Sequence, residues 1–425
     1  MRIQNIHALE ILDSRGNPTI KTFVYLDSGE KSWSAVPSGA STGIHEAIDL
    51  RDGDKNRYQG KGVQKAVSFI NNEINNNLTG LDPTNQLNID NKLLELDGTQ
   101  NKSNLGANTL LSVSQAVCRT AAVFQKKPLY QYISGIFDSP ARSEYVLPCP
   151  MINIINGGKH AVFSCDIQEY MIIPKASTFS EALRRGVDVF QQLKNILHEN
   201  GFAVTVGDEG GFAPSVHTNE EPLALILGAI QKANYQPGSD VFLGIDAAAS
   251  EFFQDGKYNL KKENITLDAK QLTTLYGNWI GKYPLVLLED IFEQDDWKAF
   301  SNFTKLFGNK IQVVGDDLFT TNENRLQEGI EKQAANAIII KPNQIGTISE
   351  TFKTIRLAQK SNVNAIISHR SGETEDDFIV DLAVGTGAKQ IKTGSLCRSE
   401  RMVKYNRLLE IEKELGEKAK FASAL

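Results

Sequence analysis

The chain has 425 residues, of which 41% are hydrophobic, 8% aromatic and 23% charged, as is typical of a globular protein with a sizeable core. Its net charge of −6 argues against nucleic-acid binding, which needs a clustered basic face. The four cysteines form no CxxC pair, which excludes zinc-ribbon and redox motifs, and no apolar run reaches the roughly 18 residues of a membrane span. We therefore expect a cytoplasmic protein without a nucleic-acid or membrane partner.

Residues 1–140 predict a compact α+β domain. Two segments alternate polar and apolar side chains as strands do, residues 3–12 and 20–26. Three segments carry apolar side chains at helical spacing, residues 63–76, 86–96 and 108–124. Strands followed by a run of helices are typical of one α+β unit. The asparagine-rich stretch 71–77 predicts a solvated helix end, and the prolines at 148 and 150 predict a connector to the next domain.

Residues 141–425 consist of short apolar runs that are each followed by an amphipathic helix. Six of these runs end in charged or polar residues, namely Asp246, Glu289, Asp316, Lys341, the pair 368–369, and Lys392. Four of the five steps between them are 23 to 28 residues long, the length of one strand–helix unit. Such repeats predict an α/β fold with a (β/α)8-type barrel. The competing open doubly wound sheet would carry a G-x-G-x-x-G turn after its first strand, and none occurs in that context.

The polar residues at the strand ends form the first candidate site. A single Asp at such a place is most often a helix N-cap, and a single Lys is most often a surface residue. Six polar residues in register are harder to explain in this way, because catalytic residues of barrels lie at the C-terminal ends of the strands. Converging carboxylates repel each other, so a divalent cation would compensate them. All-oxygen ligation favours Mg²⁺ over zinc.

Three loops carry further candidates. Residues 207–212 place acidic side chains in a glycine-rich turn, where a ligand can approach the backbone closely; an exposed acidic turn is the alternative. Residues 37–43 are small and suit a mobile lid, or else a plain surface turn. Residues 368–374 bring a guanidinium and hydroxyls to a strand end, which suits phosphate binding. A structural salt bridge is the alternative for Arg370.

Taken together, these segments resemble the enolase family nearly from end to end. The resemblance is carried by an ordered set of motifs at residues 13–19, 38–43, 50–55, 156–161, 168–169, 207–212, 315–318, 341–347, 368–376 and 391–401. It implies a small N-terminal α+β domain on a barrel that removes water from 2-phosphoglycerate to give phosphoenolpyruvate. It also implies one tight Mg²⁺ site, a second Mg²⁺ recruited with the substrate, and a homo-oligomer, either a dimer or an octamer.

Matching the motifs residue by residue implies the following roles. The tight Mg²⁺ would be held by Asp246, Glu289 and Asp316, and the second by Ser41. The catalytic residues would be the base Lys341, the acid Glu209, its supporting residue Glu169, and His160, which would close over the substrate. The substrate would be contacted by Gln168, His369, Arg370, Ser371 and Lys392, with Arg370 and Ser371 on the phosphate and Lys392 on the carboxylate.

The sequence departs from the family pattern at four places: residues 162–165, Ile291, Pro342 and Trp33. Because proline keeps the preceding residue extended, as a strand end already is, we expect Lys341 to stay in place. Two other functions remain open. An acid-sugar dehydratase also abstracts a proton beside a carboxylate, and a paralogue without activity would serve as a surface binder.

Overall fold

The computed structural model describes residues 1–39, 43–138 and 142–422. Within these ranges the chain forms a three-stranded sheet with helices, followed by a closed eight-stranded barrel surrounded by helices. The predicted fold class, a (β/α)8-type barrel with a smaller N-terminal α+β domain, is confirmed. The predicted boundary at residues 140–141 falls outside the described residues. No helix in the described ranges is long and apolar enough to cross a membrane.

The N-terminal domain is an antiparallel sheet in the order β1-β2-β3 packed against helices. Its elements are β1 (Ile3–Leu12), β2 (Pro18–Leu26), β3 (Lys31–Ala35), α1 (Gln64–Phe69), α2 (Asn75–Leu78), α3 (Gln86–Asp97), α4 (Ala107–Phe124) and α5 (Leu129–Phe137). A π-helical stretch, Ile70–Ile74, joins α1 to α2. The predicted strands and helices are present, and β3 and α5 were not predicted.

The outer edge of β1 is covered by asparagine side chains. Asn75 Oδ1 accepts a hydrogen bond from the Ile6 backbone N–H at 2.7 Å, and Asn71 Oδ1 accepts one from Ala8 N–H at 2.7 Å. Asn71 Nδ2 returns a bond to the Ala8 carbonyl. An uncovered edge strand would offer unpaired backbone groups to other chains. The prediction of a merely solvated helix end was therefore wrong for these two residues.

The barrel strands follow the order β11-β12-β13-β14-β15-β5-β6-β7 and close on themselves. They are β5 (Cys149–Asn156), β6 (Glu169–Pro174), β7 (Val241–Asp246), β11 (Leu285–Glu289), β12 (Gln312–Gly315), β13 (Ala337–Ile340), β14 (Asn364–Ser368) and β15 (Gln390–Lys392). The surrounding helices are α6 (Phe179–Glu199), α7 (Glu221–Lys232), α8 (Ala269–Lys282), α9 (Trp297–Phe307), α10 (Glu323–Lys332), α11 (Ile348–Lys360), α12 (Phe378–Thr386) and α13 (Ser399–Leu415). The six later strands match the predicted runs.

Two features of the barrel differ from a regular repeat. β6 runs antiparallel to both β5 and β7, so the first two strands are joined as a hairpin rather than by a helix. The long step between Asp246 and Glu289 contains a small sheet of β8 (Phe253–Gln254), β9 (Lys257–Leu260) and β10 (Ile265–Leu267). The segment between the two domains also differs from the prediction. Pro150 lies inside β5, so the predicted connector was wrong there. A two-stranded sheet pairs β4 (Val146–Leu147) with β16 (Lys420–Phe421).

The two domains are held together by buried polar contacts. Arg119 of α4 pairs with Asp376 at 2.7 Å, and Ser34 of β3 donates to the same carboxylate at 2.7 Å. Trp33, one of the departures from the family pattern, lies beside this contact, with Arg119 Cζ 5.9 Å and Lys21 Nζ 3.6 Å from its ring centroid. The N-terminal domain thereby lies over the barrel end where β14 finishes.

Candidate active site

One cavity at the C-terminal end of the barrel brings most of the predicted site residues together. It is lined by His160, Gln168, Glu169, Glu209, Asp246, Lys341, Ser368, His369, Arg370, Ser371 and Lys392. Glu289 and Asp316 are joined to this lining by ion pairs with Lys392 and Lys341. Because β6 is antiparallel, its first residue, Glu169, lies at the barrel end where the other strands finish. Its backbone is in register with that of Asp246, the last residue of β7. Ser41 lies outside the described residues.

The strand-end carboxylates are not the N-caps of the α-helices that follow them. The caps of α8, α9, α10 and α11 are Asp268, Asp296, Asn322 and Thr347, and each of these side chains accepts a bond from a backbone N–H of the first turn. Each cap lies several residues beyond the strand-end residue that precedes it. The N-cap interpretation of the strand-end carboxylates was therefore wrong, and these side chains are left to face the cavity.

We call Asp246, Glu289, Asp316, Lys341 and Lys392 the carboxylate floor. Lys392 Nζ lies 3.0 Å from Asp246 Oδ2 and 2.9 Å from Glu289 Oε1, and it also reaches Glu169 Oε2 at 3.1 Å. Burial lowers the pKa of this ammonium, but the facing carboxylates outweigh burial and raise it well above its usual value. Lys392 is therefore a charged group at the centre of the floor.

Lys341 and Asp316 form the second part of the floor. The Lys341 ammonium donates to Asp316 Oδ2, and Gln344 Nε2 donates to the other carboxylate oxygen at 3.0 Å. Burial lowers the pKa of Lys341, but Asp316 outweighs it, so the pKa is raised. Lys341 has φ −123° and ψ 102°, which confirms that it stays extended before Pro342.

The floor suits a hard divalent cation. Asp246, Glu289 and Asp316 are 3%, 0% and 6% exposed, and they offer only oxygen atoms, the donors that Mg²⁺ prefers. Burial and the charge of Asp246 raise the pKa of Glu289 well above its usual value, so two ammonium groups do not fully compensate three carboxylates. Asp316 also converges with Asp290 and Asp317, with ligand atoms within 4.8 Å of one another. Added positive charge would relieve this crowding.

We call His160, Glu169, Glu209 and His369 the acid end of the cavity. His160 lies between the two carboxylates, with Nδ1 3.6 Å from Glu169 Oε1 and Nε2 3.6 Å from Glu209 Oε1. Glu209 is 3% exposed, so the interpretation of residues 207–212 as an exposed acidic turn was wrong. Burial and the charge of Glu209 raise the pKa of Glu169 well above its usual value. The surroundings of Glu169 therefore favour its protonated form more than those of Glu209 do.

Glu209 is the ionised member of this pair. Burial would raise its pKa, but the facing imidazoles of His160 and His369 outweigh burial and keep it well below its usual value. His369 Nε2 lies 3.4 Å from Glu209 Oε2, and Asn153 Nδ2 donates to the same oxygen at 3.0 Å. Burial is the largest cause that lowers the pKa of His369, to about 3. His369 therefore faces Glu209 as a neutral ring.

Arg370 and Ser371 lie beside the floor, on the side covered by the N-terminal domain. Arg370 forms two bonds to the Glu46 carboxylate, at 2.9 and 3.2 Å, and one to Asn343 Oδ1 at 3.1 Å. The salt bridge foreseen as an alternative for Arg370 is thus present, and its partner comes from the other domain. The guanidinium still lines the cavity together with Ser371.

Several polar atoms of the cavity have no hydrogen-bond partner in the described part of the chain. They include Gln168 Oε1 and His160 Nδ1. Buried polar groups are nearly always paired, so a cluster of unpaired ones indicates a place where a polar ligand binds. The cavity thus offers ammonium and guanidinium groups to an anion and carboxylates to a cation.

Sequence reasoning assigned no role to several residues that shape the site. Asn153 contacts Glu209, Gln344 contacts Asp316, and Glu46 contacts Arg370. Asn153 had a local signal, because it is a polar residue within the otherwise apolar run of β5. Glu46 had none, since its partner lies 324 residues away in the sequence.

Comparison with known families adds a match over nearly the whole chain. Residues 3–133 match the model of the enolase N-terminal domain, and residues 144–424 match the model of the enolase C-terminal TIM barrel domain. The second match alone covers more than half of the chain and includes every floor and acid-end residue.

Proposed function

The chain belongs to the enolase family, and from this premise we propose that it removes water reversibly from 2-phosphoglycerate to give phosphoenolpyruvate, with Mg²⁺ as its cofactor. The supporting observation is one cavity with an ammonium-bearing floor on one side and a carboxyl pair bridged by a histidine on the other. Proton removal and loss of hydroxide need groups on two different sides of a substrate. This arrangement provides both.

The first step is proton removal from C2 by Lys341. A proton beside a carboxylate is very weakly acidic, because its removal creates a doubly charged enediolate. When bound at Asp246, Glu289 and Asp316, with Ser41 as a further ligand for a second ion, Mg²⁺ supplies positive charge that stabilises this enediolate. The Lys392 ammonium donates to the same carboxylate of the substrate and adds to the stabilisation.

Lys341 can accept a proton only when its amine is neutral. Its contact with Asp316 raises its pKa and keeps it charged. Release of Asp316 from Lys341 removes the cause of that raised pKa. The neighbouring charges of Arg370 and Lys392, which lower the pKa of Lys341, then favour the neutral amine.

The second step is loss of the C3 hydroxide as water, assisted by a proton from Glu209. Glu169 holds the proton that Glu209 lacks, and His160 has one ring nitrogen 3.6 Å from each carboxylate. These distances are slightly longer than hydrogen bonds and would shorten when the substrate closes the site. Glu169 gives its proton to His160 Nδ1, while His160 Nε2 gives a proton to Glu209. This relay protonates Glu209 without taking a proton from solvent.

The substrate is held through its phosphate and its hydroxyl. Arg370 and Ser371 bind the phosphate, because a guanidinium fork matches phosphate oxygens. Glu46 competes with the phosphate for Arg370, so binding must weaken that ion pair. Gln168, whose buried Oε1 is unpaired, and His369, whose ring lines the cavity, contact the substrate. The resemblance further implies a cytoplasmic homo-oligomer, either a dimer or an octamer, acting in glycolysis.

Absorbance at the phosphoenolpyruvate band tests the proposal. Wild-type protein should form product from 2-phosphoglycerate only with Mg²⁺, and Lys341→Ala should form essentially none. A phosphate-free acid sugar offered in parallel tests the dehydratase alternative and should not react. Substantial turnover without Mg²⁺, an active Lys341→Ala protein, or preference for the acid sugar would overturn the proposal.

A further inference from the structure

Helix α13 sends one fully buried arginine beneath the acid end. Arg401 is 0% exposed, and its guanidinium reaches two loops at once. Nη1 lies 2.5 Å from His369 Nδ1 and 2.6 Å from the Arg370 carbonyl oxygen. Nη2 donates to the Ser371 carbonyl at 2.6 Å and to the Asp208 carbonyl at 3.2 Å. No role has been given to Arg401 so far.

The contact with Arg401 determines which nitrogen of His369 carries the proton. A guanidinium has only N–H donors and no acceptor. His369 Nδ1 must therefore present its lone pair to Arg401, and the proton of the neutral ring must be on Nε2. Nε2 is the atom that lies 3.4 Å from Glu209 Oε2, so the ring N–H is directed at the carboxylate.

From this geometry we propose that Arg401 is a positioning residue, which acts through His369 by fixing the Nε2–H tautomer that donates to Glu209. The inference rests on the proposed function in so far as Glu209 is the acid. The tautomer itself is a property of the protein alone.

The charges around His369 support this role. Glu209, Arg401 and Lys392 all face the ring, and burial is the largest cause that lowers its pKa to about 3, with the Arg401 charge acting in the same direction. A doubly protonated ring would place an N–H against the guanidinium N–H groups, which is repulsive. Arg401 thus prevents His369 from taking the proton that Glu209 must hold and deliver.

The backbone around Arg401 is adapted to its position. Gly394 has φ +77°, and a Cβ there would lie 2.7 Å from Arg401 Cδ and 3.0 Å from His369 Cε1. Glycine avoids this clash and adopts the positive φ without steric cost. Arg401 also holds carbonyl groups on both sides of the cavity, at Asp208 beside the acid and at Arg370 and Ser371 in the phosphate loop. One side chain therefore positions both segments.

The experiment is nitrogen-15 NMR of histidine-labelled protein without substrate, with the His369 signals assigned by His369→Gln among the six histidines. The wild-type ring should be protonated on Nε2 only and remain neutral down to about pH 5. Arg401→Met should show a mixture of tautomers and titrate at higher pH. Lys404→Met is the matched control, because this buried cation of the same helix contacts Glu373 and the Thr374 carbonyl rather than His369, and it should keep the wild-type tautomer.

A wild-type His369 protonated on Nδ1 would overturn the proposal, and this result does not depend on the folding of any Arg401 variant. An unchanged tautomer in Arg401→Met, or in Arg401→Leu if the methionine variant does not fold, would overturn it too. In turnover assays Arg401→Met should lower kcat about 100-fold and shift the pH profile, whereas Arg401→Lys, which keeps N–H donors and has no acceptor, should retain the wild-type tautomer. Failure of the proposed function would appear as an inactive wild type with the expected tautomer, so the two failures are distinguishable.

Discussion

The carboxylate floor and the acid end lie in one cavity but balance their charge in different ways. In the floor, buried carboxylates are paired with the ammonium groups of Lys341 and Lys392. At the acid end, Glu209 faces imidazoles, and His369 is kept neutral by burial and by Arg401. Charge pairing suits a site that exchanges one cation for another, whereas neutral partners suit a site that moves a proton. This difference can be tested by substitutions on each side of the cavity.

Removing Lys392 should destabilise the protein more than any other single change to the floor. In Lys392→Met, the carboxylates of Asp246 and Glu289 lose a shared cation, and breaking a buried ion pair in this way costs about 3–5 kcal/mol of unfolding free energy. Urea unfolding with and without Mg²⁺ measures this cost, and Mg²⁺ should restore part of it. As a control, Lys232→Met removes an exposed pair with Glu199 and should cost less than about 1 kcal/mol. Equal costs for the two variants would contradict the account of the floor.

Removing the charge of Glu209 should affect catalysis and leave stability nearly unchanged. Glu209→Gln keeps the side-chain shape and the bond from Asn153, so the unfolding free energy should change by less than about 1 kcal/mol. The turnover number should fall about 10²- to 10⁴-fold, the usual contribution of a general acid. Steady-state kinetics and urea unfolding on the same preparation give both values. A variant with turnover within tenfold of wild type would exclude Glu209 as the acid.

Asp90 provides a buried carboxylate outside the cavity whose partners are uncharged. It accepts bonds from Ser114 Oγ at 2.6 Å, Gln86 Nε2 at 3.0 Å and Ser349 N–H at 2.8 Å, and burial raises its pKa to about 6. Because the folded-state pKa lies above the unfolded value, stability is fully present below about pH 4 and is lost as the pH rises through about 6.

The loss caused by Asp90 amounts to at most about 3 kcal/mol. Asp90→Asn should remove this part of the pH dependence, because an asparagine does not ionise. Urea midpoints of both proteins between about pH 4 and pH 7 measure the effect. Parallel curves for the two proteins would show that Asp90 does not titrate in this range.

The smallest effect is expected in the loop that carries His160. Phe163 is 86% exposed, so Phe163→Asn should change the unfolding free energy by no more than about 0.5 kcal/mol. The neighbouring Ser164 is buried, and its hydroxyl donates to the Pro214 carbonyl at 2.7 Å, so Ser164→Ala should cost about 1 kcal/mol or more. If Phe163→Asn were the more damaging of the two, Phe163 would be packed rather than exposed.

The floor could be predicted from sequence because it follows the strand repeat. Each of its residues ends or directly follows an apolar run, and parallel strands bring such ends together. The direction of β6 could not be predicted, since all six of its residues are buried and a continuous apolar run has no feature that distinguishes parallel from antiparallel pairing. Pro150 was mistaken for part of a connector because proline usually marks a turn or loop, although here it lies inside the buried strand β5.

The acid end depends on contacts between segments that are far apart in the sequence. His160 was identified only through motif resemblance, and Glu209 was noted as part of an acidic, glycine-rich turn but received its role from the same resemblance. Nothing local indicates that Arg401 contacts His369, 32 residues away. The buried ion pair between Glu46 and Arg370 crosses from one domain to the other. Long-range contacts of this kind are decided by how the domains pack, which periodicity does not report.

We propose that the floor removes the C2 proton and that the acid end expels the C3 hydroxyl. Proton NMR of 2-phosphoglycerate in D₂O with Mg²⁺ separates the two steps, because exchange of the C2 proton does not require loss of water. Glu209→Gln should still exchange this proton while forming almost no phosphoenolpyruvate, and Lys341→Ala should do neither. Proton exchange that persists in Lys341→Ala would contradict this division between the two parts of the cavity. So would a Glu209→Gln protein that has lost both proton exchange and product formation.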